Sequence, residues 1–255
     1  MENPLVSVII PTFNAEKYIS DTIKSVQNQS YQNWEILLVD DASSDETPKI
    51  ITPFLTDKRI QFYPLKINSG TGVARNTALA NAKGKYIAFL DADDLWRPEK
   101  LEKQIDFMQL HKLPFTFSFY DLMDESGNSL QKRVEAPRNL SYRQLFFCNY
   151  VGNLTGIYDV DYFGKIPISG IRKRQDWMHW LTILKKIKKA KPVPESLAFY
   201  RIRDNSLSTS KTNLLEYNFA VYRQFHSFSW FYSMFCMAGF LFTQLVIKPF
   251  YYKRG

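Results

Sequence analysis

A chain of 255 residues, 45% of them hydrophobic, has apolar material for one large α/β domain or a core domain with an appendage, which excludes a disordered chain. Its two cysteines, Cys148 and Cys236, lie far apart without metal-ligand spacing, which argues against a disulfide framework or a zinc site. The formal charge of +8 is uneven: between Lys165 and Lys191, nine Lys and Arg face Asp176 alone, a pattern suited to phosphates or to a solvated helix face.

Val6 to Pro11 (VSVIIP) reads as a strand buried on both faces, because it is apolar and β-branched without alternation. Asn14 is placed to cap a helix in which Tyr18, Ile19, Thr22, Ile23 and Val26 recur at helical spacing. Trp34 to Val39 is a second buried strand and ends in Asp40-Asp41. Ser43 to Thr47 supplies turn and cap residues before a helix expected from Pro48 to Leu55, and Ile60 to Tyr63 is a short strand. The loop Asn68-Ser69-Gly70-Thr71-Gly72 leads into a helix through Val73, Asn76 and Ala80 that Gly84 is expected to end. Tyr86 to Leu90 is the next strand, Pro98 starts another helix through Leu101, Ile105 and Met108, and Phe115 to Phe119 is a further strand. After a hairpin turn at Ser126-Gly127-Asn128 the pattern is irregular, apart from a helix over Asp176 to Ile187 and a late strand over Leu197 to Ile202. Strands alternating with helices predict a mainly parallel, Rossmann-like α/β sheet flanked by helices.

Three strands end in polar or acidic residues: Pro11-Thr12, Asp40-Asp41 and Asp91-Ala92-Asp93. In a parallel sheet these ends converge on one edge, where open α/β sheets bind ligands. Asp91 and Asp93 are two positions apart and can project the same way, so they repel unless a cation sits between them. A divalent metal carrying a phosphorylated ligand meets that need; the alternative is stabilisation of a following helix N-terminus, the role expected of Asp94.

VSVIIPTFNAEKYI, LLVDDASSDET, NSGTGVARNTALANAKGKYIAFLDADD and RKRQDWMHW together resemble the inverting family 2 glycosyltransferases of the GT-A fold, densely over residues 5 to 100 and sparsely to about 210. Within that family the chain is similar to enzymes of bacterial envelope-polysaccharide synthesis. The resemblance implies that Pro11 and Thr12 line the nucleotide pocket, that Asp41 meets a uracil edge beside Asp40, and that Arg75 lies near the base. It also implies that Asp91 lies near the ribose and that Asp93 binds Mn²⁺ or Mg²⁺ at the donor diphosphate. Asp176 matches the catalytic base; Gln175 departs from the Glu usual before it, whereas Trp177 fits. Tyr200 to Ser208 resembles the segment that closes over the diphosphate, with Arg201, Arg203 and Lys211 as candidate phosphate contacts.

The chemistry agrees: inverting transfer needs a base for the acceptor hydroxyl and positive charge on the departing diphosphate. The implied partners are a nucleotide-sugar donor, expected to be a UDP-sugar, and a glycan or lipid-linked acceptor. A nucleotidyltransferase would prefer a Gly-rich cationic loop after the first strand, which Thr12 to Glu16 lacks. A non-catalytic nucleotide-binding protein would tolerate loss of the carboxylates, all of which are present. The cations are not interleaved with aromatics on a sheet, so no nucleic-acid partner is expected. His179 and His226 are expected to be packing or surface residues.

The N-terminus lacks a signal-type apolar segment, so secretion is not expected. Residues 1–215 are expected to form the catalytic domain and 216–255 an apolar helical tail. Ser227 to Ile247 carries no formal charge, close to the length a bilayer requires, with Arg223 before it and Lys248, Lys253 and Arg254 after it. The tail is expected to span a membrane, lie on it or dock a partner, at the cytoplasmic face of a bacterial membrane.

Overall fold

The unbroken apolar runs are buried on both faces. In the computed structural model, which describes residues 3–203 and 211–254, Val8, Ile10, Ile36 and Leu38 pack into one hydrophobic layer and Ile9, Leu37 and Val39 into the other. Successive strand residues point to opposite faces, so only a strand covered on both sides can be apolar throughout. These residues belong to β1 (Val6–Thr12) and β2 (Trp34–Asp40), which pair in parallel. β3 (Ile60–Pro64) joins the free edge of β2 and β4 (Tyr86–Phe89) that of β1, again in parallel.

The connecting helices are α1 (Ile19–Gln27), α2 (Thr47–Ile51), α3 (Thr71–Asn81) and α4 (Lys100–His111). α1 and α4 cover one layer through Ile19, Ile23, Leu101 and Ile105, and α3 covers the other through Ala74 and Ala78. Several boundaries differ from expectation for local reasons. Asn14 does not cap α1; it takes φ +47° and its side-chain oxygen accepts the Ser44 N–H, tying the exit of β1 to that of β2. The helix expected to Leu55 is α-helical only to Ile51 and continues as 3₁₀ over Thr52–Thr56, because Pro53 has no N–H to donate. Gly84 lies beyond the end of α3, pressed against β1, where an added Cβ would sit 2.6 Å from the Ser7 nitrogen.

The remaining strands are β5 (Leu95–Trp96), β6 (Phe115–Met123), β7 (Ser129–Val134), β8 (Leu140–Ser141), β9 (Ile157–Asp159), β10 (Lys189–Arg201) and β11 (Tyr252–Arg254). The main sheet runs β11-β7-β6-β9-β4-β1-β2-β3, with β10 parallel to β6. β9 is antiparallel to both β4 and β6, so it joins the parallel half of the sheet to the second half. The predicted hairpin at Ser126–Asn128 joins β6 to β7, with Gly127 at φ +88°. The late strand begins at Lys189 rather than Leu197: Pro192 and Pro194 blur its pattern, and β10 absorbs them beside register shifts against β6.

The later helices are α5 (Tyr142–Phe147), α6 (Val160–Phe163), α7 (Gln175–Ile187), α8 (Lys211–Ala220) and α9 (Trp230–Phe242). α7 buries Trp177, Trp180, Leu181 and Leu184 against the sheet. The apolar tail folds onto this layer. Phe240 of α9 packs on Trp177, with ring centroids 5.5 Å apart, and β11 pairs antiparallel with β7.

Candidate active site

Parallel register brings the three polar strand ends together: Thr12 pairs with Asp40, Pro11 with Val39, and Leu90 donates to Ile9 where β4 leaves the sheet. Asp40 is buried and organises the turn after β2, accepting from the Thr12 hydroxyl at 3.0 Å and from the Ser43 hydroxyl and N–H at 2.5 and 3.0 Å. Asp41, also buried, accepts the backbone N–H groups of Ser69 and Gly70 at 2.7 and 2.8 Å. That anchors the loop entering α3, with Gly70 at φ +90°, where glycine is favoured.

Arg75, on the buried side of α3, reaches across to the end of β4. One guanidinium nitrogen lies 2.6 Å from the Asp91 carboxylate and the other donates to Gln175 Oε1 at 3.1 Å. Arg75 is thus ion-paired with Asp91 rather than free to reach a base. It connects β4 to the first residue of α7, and the next residue is Asp176. The Asp176 carboxylate accepts from Asn149 Nδ2 at 2.7 Å and, among the described residues, forms no ion pair with Arg172, Lys173 or Arg174. Asn153 Nδ2 donates to the same Asp91 oxygen that Arg75 meets, at 3.0 Å.

Gln175 uses both ends of its amide, accepting from Arg75 and donating to the Ser169 carbonyl at 3.3 Å. A glutamate here would set a second oxygen against that carbonyl, which accounts for the amide.

Asp93 is paired with Arg203, Nε lying 2.7 Å from Oδ2. Burial pushes the Asp93 carboxyl above the usual range; Arg203 offsets part of this and Asp91 adds to it. Arg201 is buried, and its guanidinium donates to the backbone carbonyls of Asp93 and Glu125 at 2.8 and 2.9 Å. Asp94 does not cap a helix. Its side chain is fully enclosed and accepts the Arg201 N–H at 2.9 Å, while α4 starts only at Lys100. Residues 204–208 of the expected closing segment and the side chain of Lys211 lie outside the described residues.

Among the described residues no three carboxylate, His or Cys side chains form a metal cage. Asp93, close to Asp91 at the strand end, offers hard oxygen donors suited to a Mn²⁺ or Mg²⁺ that shares substrate phosphates. Asn149 and Asn153 were missed by the sequence reading; both lie in the irregular stretch, where Asn beside Gly152 was the only local signal. His179 is buried between Phe89, Tyr158 and Trp180, as a packing residue would be.

Residues 7–155 match the family model "Glycosyl transferase family 2". The chain is 44% identical over 222 residues, 87% of its length and 88% of the relative's, to TuaG of Bacillus subtilis, named for teichuronic acid biosynthesis. It is 39% identical over 185 residues, 72% of each chain, to the Escherichia coli UDP-Glc:alpha-D-GlcNAc-diphosphoundecaprenol beta-1,3-glucosyltransferase WfgD. In fold it is similar to S. aureus TarS in complex with UDP-GlcNAc, with TM-score 0.69 at 20% identity, covering 94% of this chain and 73% of that one.

Proposed function

The chain belongs to glycosyltransferase family 2 and has a GT-A-like fold, and from that premise we propose an inverting transfer from a UDP-sugar to a hydroxyl of a glycan or lipid-linked acceptor, in bacterial envelope-polysaccharide synthesis at the cytoplasmic face of the membrane. One observation carries the reading: an unbroken run of contacts, Asp91–Arg75–Gln175 and then Asp176–Asn149, links a carboxylate pair suited to a cation with a carboxylate suited to accept a proton.

The nucleoside end is assigned to Pro11, Thr12, Asp40 and Asp41. Each Asp41 oxygen already receives one backbone N–H and retains a lone pair for a uracil edge. Asp91, fixed by Arg75 and Asn153, is assigned to the ribose. Asp93 would hold a divalent metal, which when bound supplies positive charge at the departing diphosphate. Arg203 contributes the protein's own cation at that position, with Arg201 bracing the loop behind it. Asp176 receives the proton of the acceptor hydroxyl; Asn149 orients one of its oxygens and leaves the other for the acceptor.

A panel of UDP-sugars, assayed for UDP release with Mn²⁺ and with chelator, tests this. The expected result is release from one donor class that stops on chelation and resumes when Mn²⁺ is restored. No release from any nucleotide sugar would overturn the donor assignment, and release indifferent to chelator would remove the metal from it.

A further inference from the structure

The stretch from Trp230 to Tyr251 is long and apolar enough to cross a membrane, yet one side of it is held against the catalytic layer. Its inner stripe, Ser233, Cys236, Met237, Phe240 and Thr243, is buried on the catalytic layer. Gly239 lets the helix approach α5 so closely that an added Cβ would meet the Phe147 ring at 2.7 Å. Farther along, Lys248 Nζ donates to the Asn149 carbonyl at 3.1 Å, and β11 is stitched to β7. A spanning helix would have to give up all of these contacts. The outer stripe has the opposite character: Phe231, Phe235, Phe242 and Leu245, at helical spacing, are exposed by 81%, 72%, 59% and 73%. A helix apolar on every side with one face bare lacks a partner for that face.

Charge identifies the partner. From residue 217 to 255 the chain contains no Asp or Glu, whereas Arg223, Lys248, Lys253 and Arg254 flank the apolar run. β11 also sets Arg254 directly opposite Lys132, and Lys253 opposite Arg133. Like charges facing across strands are destabilising. Arg133 is relieved by Asp121, but Lys132, Lys253 and Arg254 have no ion-pair partner among the described residues. An apolar stripe bordered by unneutralised cations matches a bilayer surface carrying anionic headgroups.

We propose that the outer face of the Trp230–Tyr251 stretch lies in the plane of an anionic membrane leaflet as a one-sided seat. Lys248 bonds the backbone of Asn149, whose side chain holds Asp176, so the seat is joined to the candidate base through Asn149. The benefit to a lipid-linked acceptor rests on the transferase reading above; the membrane seat itself does not.

The test uses the full chain and vesicles of phosphatidylglycerol and phosphatidylcholine, against phosphatidylcholine alone. The protein is expected to float with the anionic vesicles, and a tag after Gly255 to stay open to external protease. The triple variant Phe231→Ser, Phe235→Ser, Leu245→Gln is expected to lose flotation by about tenfold or more while keeping its thermal melt. In the unaltered protein Trp230, the one exposed tryptophan of five, is expected to be quenched by brominated phosphatidylglycerol. Failure to float, a tag protected inside the vesicle, or a variant that floats unchanged would each overturn the seat. So would a dimer that the triple variant dissociates, which would give the face to a second copy. UDP release, measured in parallel, reports on the transferase reading independently.

Discussion

Asp94 shows how far surroundings decide what a carboxylate does. Burial, with Asp93 and Asp91 beside it, pushes its carboxyl well above the usual range, and by accepting the Arg201 N–H it holds β10 to the site rather than capping a helix. Asp94→Asn keeps that shape and acceptor and is expected to leave the melting temperature unchanged or raised. Asp94→Ala leaves the Arg201 N–H buried and unpaired, at a cost of about 1–3 kcal/mol. Equal losses in the two variants would contradict the acceptor role of Asp94 toward the Arg201 N–H. His179 carries part of the acid sensitivity, beside His226, whose pKa burial and Lys185 lower to about 4. Burial, reinforced by the charge of Arg75, lowers the pKa of His179 from 6.5 to about 3, and neither ring nitrogen has a hydrogen-bond partner among the described residues. The folded state therefore resists protonation that the unfolded state accepts, and stability is complete above pH 6.5 and falls as the pH drops toward 3. Between pH 6.5 and 5 this histidine accounts for a loss of about 2 kcal/mol. Denaturant titrations at the two pH values should show His179→Phe removing that difference; an undiminished slope would assign acid sensitivity elsewhere.

At the scale of elements, the site exists because three strands stop at one level and the next residues turn outward. Their opposite ends are fixed as firmly: Glu35 accepts from Ser7, Gln61 and the Lys83 N–H, and the Gly84 N–H reaches the Ser7 hydroxyl. Gly84→Ala would put a Cβ 2.6 Å from the Ser7 nitrogen and 2.8 Å from the Leu5 carbonyl, backbone atoms that cannot rotate away. It is expected to destabilise by about 1–3 kcal/mol in thermal or urea unfolding, and an unchanged midpoint would contradict so close an approach. The same elements show what could be read in advance. β1, β2 and β4 were legible because burial on both faces leaves an unbroken apolar run, and their acidic ends followed directly. β10 was half hidden, since its prolines sit at register shifts that only pairing with β6 reveals. Asn149 and Asn153 could not be found locally, because their roles depend on Asp176 and Asp91, distant in sequence. The contact of Arg75 with Gln175, a hundred residues away, left no local trace either.

Across the whole molecule, two apolar layers flank one sheet, and the layer beneath α7 is shared between the catalytic elements and the tail. Trp177 follows Asp176 and packs on Phe240 of α9, while Asn149 bonds both Asp176 and Lys248. The candidate base is thus braced by the segment with the bare apolar face, so attachment and chemistry share one piece of structure. On the proposed reading, this site transfers a sugar with Asp176 as base. Turnover and donor binding, measured side by side for the unaltered protein and Asp176→Asn, test it most directly. Turnover is expected to fall by about 10²–10⁴-fold with UDP-sugar affinity unchanged. Turnover preserved in Asp176→Asn would contradict it.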